Sequence, residues 1–259
     1  MLRQAARRFL PPAVKSRLKK ALFRIRGLSN FYESAYERLA RTEPPEVSIG
    51  LGNFDLIGKI ELGILLAEGL KPSDVVVDLG CGTDRLAVHL IPRLTAGRYV
   101  GIDISKTMLR QAKLRTAGLG GSVEWKHQVT TQFDLPDASA DTMCAFSVFT
   151  HMEAEDTWRY LVAILRVVRP GGKLILSCLP LSLPGSRQVF LDQARLDLQE
   201  RWAGVRNVVT TEETIEILAG MAGWKVVRWL RGDEPTVPVP GMQEPQALGQ
   251  STCVLERPS

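Results

Sequence analysis

The chain has 259 residues, 45% of them hydrophobic and 24% charged, the balance of a soluble globular protein with one sizeable core. No apolar stretch approaches the roughly 20 residues of a bilayer-crossing helix. The net charge of +5 is unevenly placed: residues 1–30 hold nine Lys or Arg and no acid, leaving 24 basic against 28 acidic residues beyond them. The basic excess therefore belongs to an arm and gives no sign of a nucleic-acid-binding body. Cys81, Cys144, Cys178 and Cys253 lie far apart, in or beside apolar runs and without a CxxC pair. They read as buried free thiols of a reducing, cytoplasmic compartment.

Residues 1–46 read as a basic helical arm and residues 47–259 as the folded domain. Pro12 suits a first helical turn, and Val14, Leu18, Ala21, Leu22 and Ile25 then form one apolar stripe. Lys15, Arg17, Lys19, Lys20, Arg24 and Arg26 occupy the other faces. Such a helix over residues 12–26 suits peripheral contact with an anionic membrane surface. Its alternative is to dock the stripe on the domain and turn the charges to water. The arginine-rich, acid-free composition also fits a mitochondrial presequence, whereas Pro11-Pro12 interrupts the only short apolar patch a secretory signal could use.

A short helix is predicted from Phe31 to Arg41, and Thr42-Glu43-Pro44-Pro45 marks a boundary. The glycine-bearing stretch Gly50-Leu51-Gly52-Asn53-Phe54 leads to a helix over about Ile57 to Gly69. From there strand and helix alternate. Val75 to Leu79 is a short β-branched run followed by glycines and reads as a buried parallel strand. A helix from Arg85 to about Leu94 follows, then a strand from Arg98 to Ile102 and a helix opened by Ser105, a good N-cap. Further strands are predicted over Ser122–Gln128 and Thr142–Phe149. A helix from Ala154 to Val168 stops at the turn Arg169-Pro170-Gly171-Gly172, before a strand over Lys173–Cys178. A polar helical segment runs from Pro180–Gly185 to Trp202, and a helix opens at Thr211-Glu212-Glu213 and ends near Gly223. Trp224–Leu230 and Ser251–Glu256 are the last strands. This alternation predicts an α/β fold, a doubly wound, mostly parallel seven-stranded sheet. Its ligands would bind beyond the carboxyl ends of the strands, where strand order switches.

Asp78-Leu79-Gly80-Cys81-Gly82-Thr83-Asp84 joins the first strand to a helix. Glycines let this backbone turn sharply and approach a ligand, and the helix N-terminus supplies unpaired N–H groups. At the end of the next strand, Gly101-Ile102-Asp103-Ile104-Ser105 places an acid about 20 residues on, where a carboxylate can accept bonds from both ribose hydroxyls of an adenosine.

On these residues the chain resembles a class I S-adenosylmethionine (SAM)-dependent methyltransferase, over roughly Phe54 to Glu256. Asp78–Gly82 is similar to that family's first motif and Gly101-Ile102-Asp103 to its ribose-binding acid. Leu135-Pro136-Asp137 with Ala140-Asp141, and Arg169-Pro170-Gly171-Gly172-Lys173, resemble the approaches to its fourth and fifth strands. The resemblance implies SAM as cofactor, its methionine part surrounded by Asp78 and the Gly80-Cys81-Gly82 backbone. It implies the ribose on Asp103, the adenine beside Ile104, and Thr131 and Ser147 completing the cofactor site. Asp84 stands where the family usually has a third glycine. Aspartate tolerates left-handed backbone, so the turn is expected to survive, with Asp84 either adding a second acid near the cofactor's ammonium or weakening binding. An NAD-dependent oxidoreductase fits poorly, because Arg85 falls where G-x-G-x-x-G needs its last glycine.

The acceptor is expected after the fourth strand, in Phe146-Ser147-Val148-Phe149-Thr150-His151-Met152, which resembles small-molecule and saccharide methyltransferases. Ser147 and Phe149 are placed to shape its site. His151 has a reference pKa suited to accepting a hydroxyl proton, with a helix-steadying role as the alternative. His89 and His127 read as structural, and three dispersed histidines offer no metal site. The Asn/Asp-Pro-Pro-aromatic run of base amino-methyltransferases and the Pro-Cys of cytosine C5 enzymes are absent, so nucleic acid is not the expected substrate. The leading expectation is methyl transfer to a hydroxyl of a small molecule or saccharide, with Pro180 to Asn207 covering the acceptor pocket. A non-catalytic SAM-binding or assembly protein retaining the fold is the alternative.

Overall fold

The computed structural model describes residues 32–44, 53–201 and 204–259. The arm helix expected over residues 12–26 lies outside them, as does the stretch at residues 50–52. The elements in chain order begin with α1 (helical across residues 32–42), α2 (Phe54–Ala67), β1 (Val75–Leu79), α3 (Ala87–Leu90), β2 (Arg98–Asp103), α4 (Lys106–Arg115), β3 (Ser122–His127) and β4 (Ala140–Ala145). They continue with α5 (Ala154–Val167), β5 (Val168–Cys178), α6 (Pro184–Arg195), α7 (Leu198–Arg201), α8 (Glu212–Ala222), β6 (Lys225–Leu230) and β7 (Ser251–Glu256).

The strands form one seven-stranded sheet in the order β3-β2-β1-β4-β5-β7-β6. Pairing is parallel from β3 to β5, and β7 runs antiparallel to both β5 and β6. The doubly wound architecture follows from strands buried on both faces. Val77, Leu79, Val100 and Ile102 pack toward Leu161 and Ile164 of α5 and Ile215 and Ala219 of α8. Val76, Tyr99, Cys144 and Ile175 pack toward Ile60 and Ile64 of α2 and Leu90 of α3. Successive residues of one strand feed opposite cores, as a period of two requires. Strand order reverses between β1 and β4, and the crevice at their carboxyl ends is where such sheets bind ligands.

Local signals explain several boundaries. Ser105 caps α4, its hydroxyl accepting from the Met108 amide at 3.1 Å. Thr211 caps α8 in the same way, and Gly223 ends that helix in the left-handed conformation, φ 94°. Other expected boundaries need correction. The helix predicted over Arg85–Leu94 is only α3 followed by a 3-10 turn over Ile91–Arg93, where Pro92 supplies no amide. The fourth strand ends at Ala145 and does not reach Phe149. Beyond it Ser147 takes φ 59°, its amide donates to the Ser177 hydroxyl at 2.7 Å, and Phe149–His151 form a 3-10 turn. The apolar run continues past the strand because Phe146 and Phe149 bury in opposite cores. Arg169–Gly172 bulges from within β5, so that Ala140 pairs with Val168 but Thr142 with Lys173.

Asp141 holds this corner together. Its carboxylate accepts the Val75 amide at 2.7 Å and the Arg169 Nε at 2.6 Å, tying the start of β1 to the β5 bulge. Asp141→Ala leaves both donors without that acceptor. It is expected to destabilise the fold by about 1–3 kcal/mol in urea denaturation, without changing ligand binding at the far end of the sheet.

Candidate functional site

A cavity of about 1030 Å³ opens at the carboxyl ends of β1, β2 and β4. The first wall is the loop after β1. Gly80 and Gly82 have φ 70° and 58°, and Asp84 has φ 94°, so aspartate here supplies the left-handed turn usually given to glycine. The Gly80 and Cys81 amides both donate to the Ile102 carbonyl, at 2.7 and 3.1 Å, which stitches the loop to β2. A Cβ on Gly80 would lie 2.4 Å from Val148 Cγ2. The glycine therefore lets the segment after β4 close onto the loop.

Two buried carboxylates face this space. Asp78 accepts the Tyr99 hydroxyl at 2.8 Å and lies 3.7 Å from the Cys144 thiol. Burial pushes its carboxyl up to about 7, reinforced by the charge of Glu61 and opposed by the Tyr99 bond. Asp103 divides its oxygens: Oδ2 accepts the Gly82 amide at 2.8 Å and Oδ1 the Ser105 amide at 2.7 Å. Burial raises it to about 6, and those two backbone bonds restrain the rise. Beside them, Glu61 of α2 and Arg85 form a buried two-point ion pair, with Arg85 Nε 3.2 Å from Glu61 Oε2.

Asp78, Gly80, Cys81, Gly82, Asp103, Ile104, Thr131, Ser147 and His151 all line the cavity. Asp84 does not: it is fully buried, and its carboxylate lies 3.1 Å from Arg115 Nε. A loop that turns left-handed at residue 84 delivers this side chain to α4 and not to the cavity lining. Phe149 is also absent from the lining and sits in the core.

His151 is nearly buried, which holds its imidazole below the ordinary range. Its Nδ1 lies 2.9 Å from the Arg206 carbonyl. A carbonyl only accepts, so Nδ1 carries the proton and the neutral ring keeps its lone pair on Nε2. Arg206 is itself paired with Glu153 at 2.6 Å. Of the other arginines in the predicted cover, Arg187 bonds the Leu181 and Ser182 carbonyls and Arg195 pairs with Asp192, neither lining the cavity. Gly185 and Val189 of α6 do line it, as does Asn207.

The sequence reading missed Tyr32, Tyr36, Glu61, Arg85, Gln128 and Gln250, all on the cavity wall. Tyr32 donates to the His151 carbonyl at 2.6 Å, and the Tyr36 ring meets the His151 ring edge-on, centroids 5.9 Å apart. Gln250, just before β7, accepts the Ser177 hydroxyl at 2.6 Å and donates to Ser147 Oγ at 3.0 Å. Only Glu61 had a visible signal, a lone acid inside the apolar run Lys59-Ile60-Glu61-Leu62-Gly63-Ile64-Leu65.

Residues 76–172 match the family model described as a methyltransferase domain. They contain the glycine loop, both buried acids and His151, so over this stretch the chain is similar to methyltransferase domains. An uncharacterized 37.1 kDa protein from a transposon of Streptomyces fradiae is 33% identical over 174 residues, 64% of this chain and 47% of that protein. The 27-O-demethylrifamycin SV methyltransferase of Amycolatopsis mediterranei is 30% identical over 148 residues, 56% of this chain and 52% of the enzyme. The chain thus spans about half the length of these curated relatives. Magnesium protoporphyrin IX methyltransferase from Synechocystis, solved with bound SAM, shares the fold, with a TM-score of 0.60 at 18% identity over 89% of this chain and 95% of the other.

The raised acids predict how the unliganded protein responds to pH. A carboxyl whose folded pKa exceeds its unfolded value stabilises the fold below the unfolded value, near 4, and loses that contribution as pH rises through the folded value. For Asp78 and Asp103 the losses run from about pH 4 and are complete once the pH has passed about 7 and about 6. Asp78→Asn removes one titration. Its stability relative to the parent, measured by chemical denaturation, is expected to rise between pH 5 and pH 8 by on the order of 2–3 kcal/mol. A constant difference across that range would show that Asp78 does not titrate there.

Proposed function

We propose that this chain transfers the methyl group of SAM to a hydroxyl of a small molecule or saccharide. The observation that carries the reading is the pair of buried acids, Asp78 and Asp103, at adjoining strand ends beside a glycine-built turn. They fit the group chemically: two desolvated carboxylates without a bound cation suit a ligand bearing an ammonium, a sulfonium and a ribose diol. Asp78 and the backbone of Gly80, Cys81 and Gly82 hold the methionine end, and Asp103 receives the ribose hydroxyls. Ile104 flanks the adenine, with Thr131 on the same side. Asp84 contributes the shape of the turn and no ligand contact. Residues 32–42 belong functionally with the domain, although the expected boundary at residue 46 assigns them to the arm.

When bound, SAM supplies a methyl group on a positively charged sulfur, and transfer is an in-line displacement. The protein's task is then largely alignment, which can supply several kcal/mol. Val148 against Gly80 brings the segment after β4 to the donor, and Ser147 lies at the border between donor and acceptor. His151 accepts the acceptor hydroxyl's proton at Nε2, the nitrogen left unprotonated by the bond to Arg206. Its depressed pKa keeps it neutral at physiological pH, ready to act as base. The name of the rifamycin relative supports oxygen as the atom methylated. A membrane contact through residues 12–26 rests on the charge pattern of that segment alone.

Calorimetric titration with SAM and with NAD, followed by labelled SAM with a panel of phenols, polyketide alcohols and free saccharides, tests the reading. SAM binding with NAD excluded and label transferred to a hydroxyl is the expected result; SAM binding without transfer would favour a non-catalytic SAM-binding protein. Asp103→Ala should weaken SAM binding by about 1–3 kcal/mol through loss of a charge-assisted hydrogen bond. His151→Ala should lower kcat at least about 100-fold with little change in SAM affinity, and an unchanged kcat would remove the base role.

A further inference from the structure

We propose that Glu37, on the helix that precedes the sheet, is a positioning residue for the cofactor, setting the ribose-holding carboxylate of Asp103 through Ser105. The inference rests on the reading of Asp103 as the ribose acid.

Glu37 is bound to the N-terminus of α4 by three hydrogen bonds. Its Oε1 accepts the Ser105 hydroxyl at 3.1 Å and the Thr107 amide at 3.0 Å, and its Oε2 accepts the Thr107 hydroxyl at 2.7 Å. A negative side chain suits the partial positive charge at the start of a helix. Burial alone would raise the Glu37 carboxyl, but the bonds from Thr107 and Ser105 outweigh it and hold the group below its ordinary range.

Ser105 is the node. Its hydroxyl accepts the Met108 amide at 3.1 Å and donates to Glu37, while its own amide donates to Asp103 Oδ1 at 2.7 Å. A hydroxyl has one proton. With that proton on Glu37, a lone pair is left toward the first turn of α4, and the cap and the Glu37 bond hold together. Rotation toward another acceptor would break one of them. Glu37 thereby pins Ser105 from outside the sheet, and the Ser105 amide pins one oxygen of Asp103. The other oxygen is pinned by Gly82. The ribose acid is thus aimed from two sides, once by the glycine loop and once by α1.

The same helix turn makes a second approach to the site. Tyr36 and Tyr32 line the cavity, Tyr36 against the His151 ring and Tyr32 on the His151 carbonyl. A residue that only stapled α1 in place would support every ligand of the cavity alike. A residue acting through Asp103 supports the ribose hydroxyls in particular, and this separates the two roles.

The experiment compares S-adenosylhomocysteine with its 2′-deoxy analogue, which lacks one ribose hydroxyl, by calorimetry on the full chain. The parent protein is expected to prefer the natural ligand about tenfold. In Glu37→Ala the preference should fall below about threefold, through weaker binding of the natural ligand with the deoxy analogue little changed. Glu37→Gln, close in shape and the deciding variant should the alanine protein not fold, should fall between. Arg41→Ala, which removes only the exposed partner of Glu37 at 3.6 Å, should keep the full preference. A tenfold preference retained in both Glu37 variants overturns the inference and leaves the ribose role of Asp103 standing. Equal binding of the two ligands by the parent protein overturns that role and the inference together.

Discussion

Two carboxylates held out of water at neighbouring strand ends set the terms for everything around them. Asp78 sits in register with Gly101 of β2 and Cys144 of β4, both small enough to leave it room and neither able to neutralise it. Burying such a charge without a counter-ion is costly, and the fold offsets the cost only in part. Tyr99 gives Asp78 one hydrogen bond, and the Gly82 and Ser105 amides give Asp103 two. Arg85, a buried cation whose charge is felt at Asp78, is bound to Glu61. The site is electrostatically incomplete, a condition that a cationic ligand relieves. The same desolvation that raises both pKa values would be relieved by the positively charged ligand proposed for this cavity.

The sheet makes this tolerable. The reversal of strand order between β1 and β4 opens a crevice that no connection crosses, and the glycine turn lies on one side of it. The contact of Val148 with Gly80 closes the other side. Left-handed backbone at Ser147 re-aims the chain out of β4, and the Ser177 hydroxyl holds it there. Strain of this sort persists where surrounding bonds over-determine it, and here the fixing bonds come from β5 and from the residue that precedes β7.

Much of this was legible in the amino-acid order. Val75–Leu79 and Ser251–Glu256 needed nothing beyond β-branched runs and flanking turn residues, and Ser105, Thr211 and Gly223 mark helix ends by chemistry local to each position. The cavity residues Asp78, Gly80, Gly82 and Asp103 were readable because a turn and an acid at the next strand's end form a pattern within 26 residues. What escaped was non-local. Nothing near Glu37 in sequence announces that it meets the start of α4, some 70 positions later, nothing near Tyr36 announces His151, and nothing near Gln250 announces Ser147. The end of the fourth strand is not legible, because Phe146 and Phe149 are as apolar as strand residues while serving two different cores. The left-handed backbone at Asp84 is legible in its residue type, but its pairing with Arg115 is not, since a φ value says where the chain turns and not what its side chain finds there.

The reversed direction of β7 has a further effect. In a sheet otherwise parallel from β3 to β5, a strand running backwards begins at the rim where the others end, which is why Gln250 reaches Ser147 and Ser177. The cavity is therefore shared between two stretches of chain. One part of its lining, with the glycine turn and both acids, is encoded before residue 161, and the other is drawn from residues 179–250. Insertions or substitutions in the later stretch can reshape that second part while the first stays intact. One half of the molecule can diversify while the other is held constant.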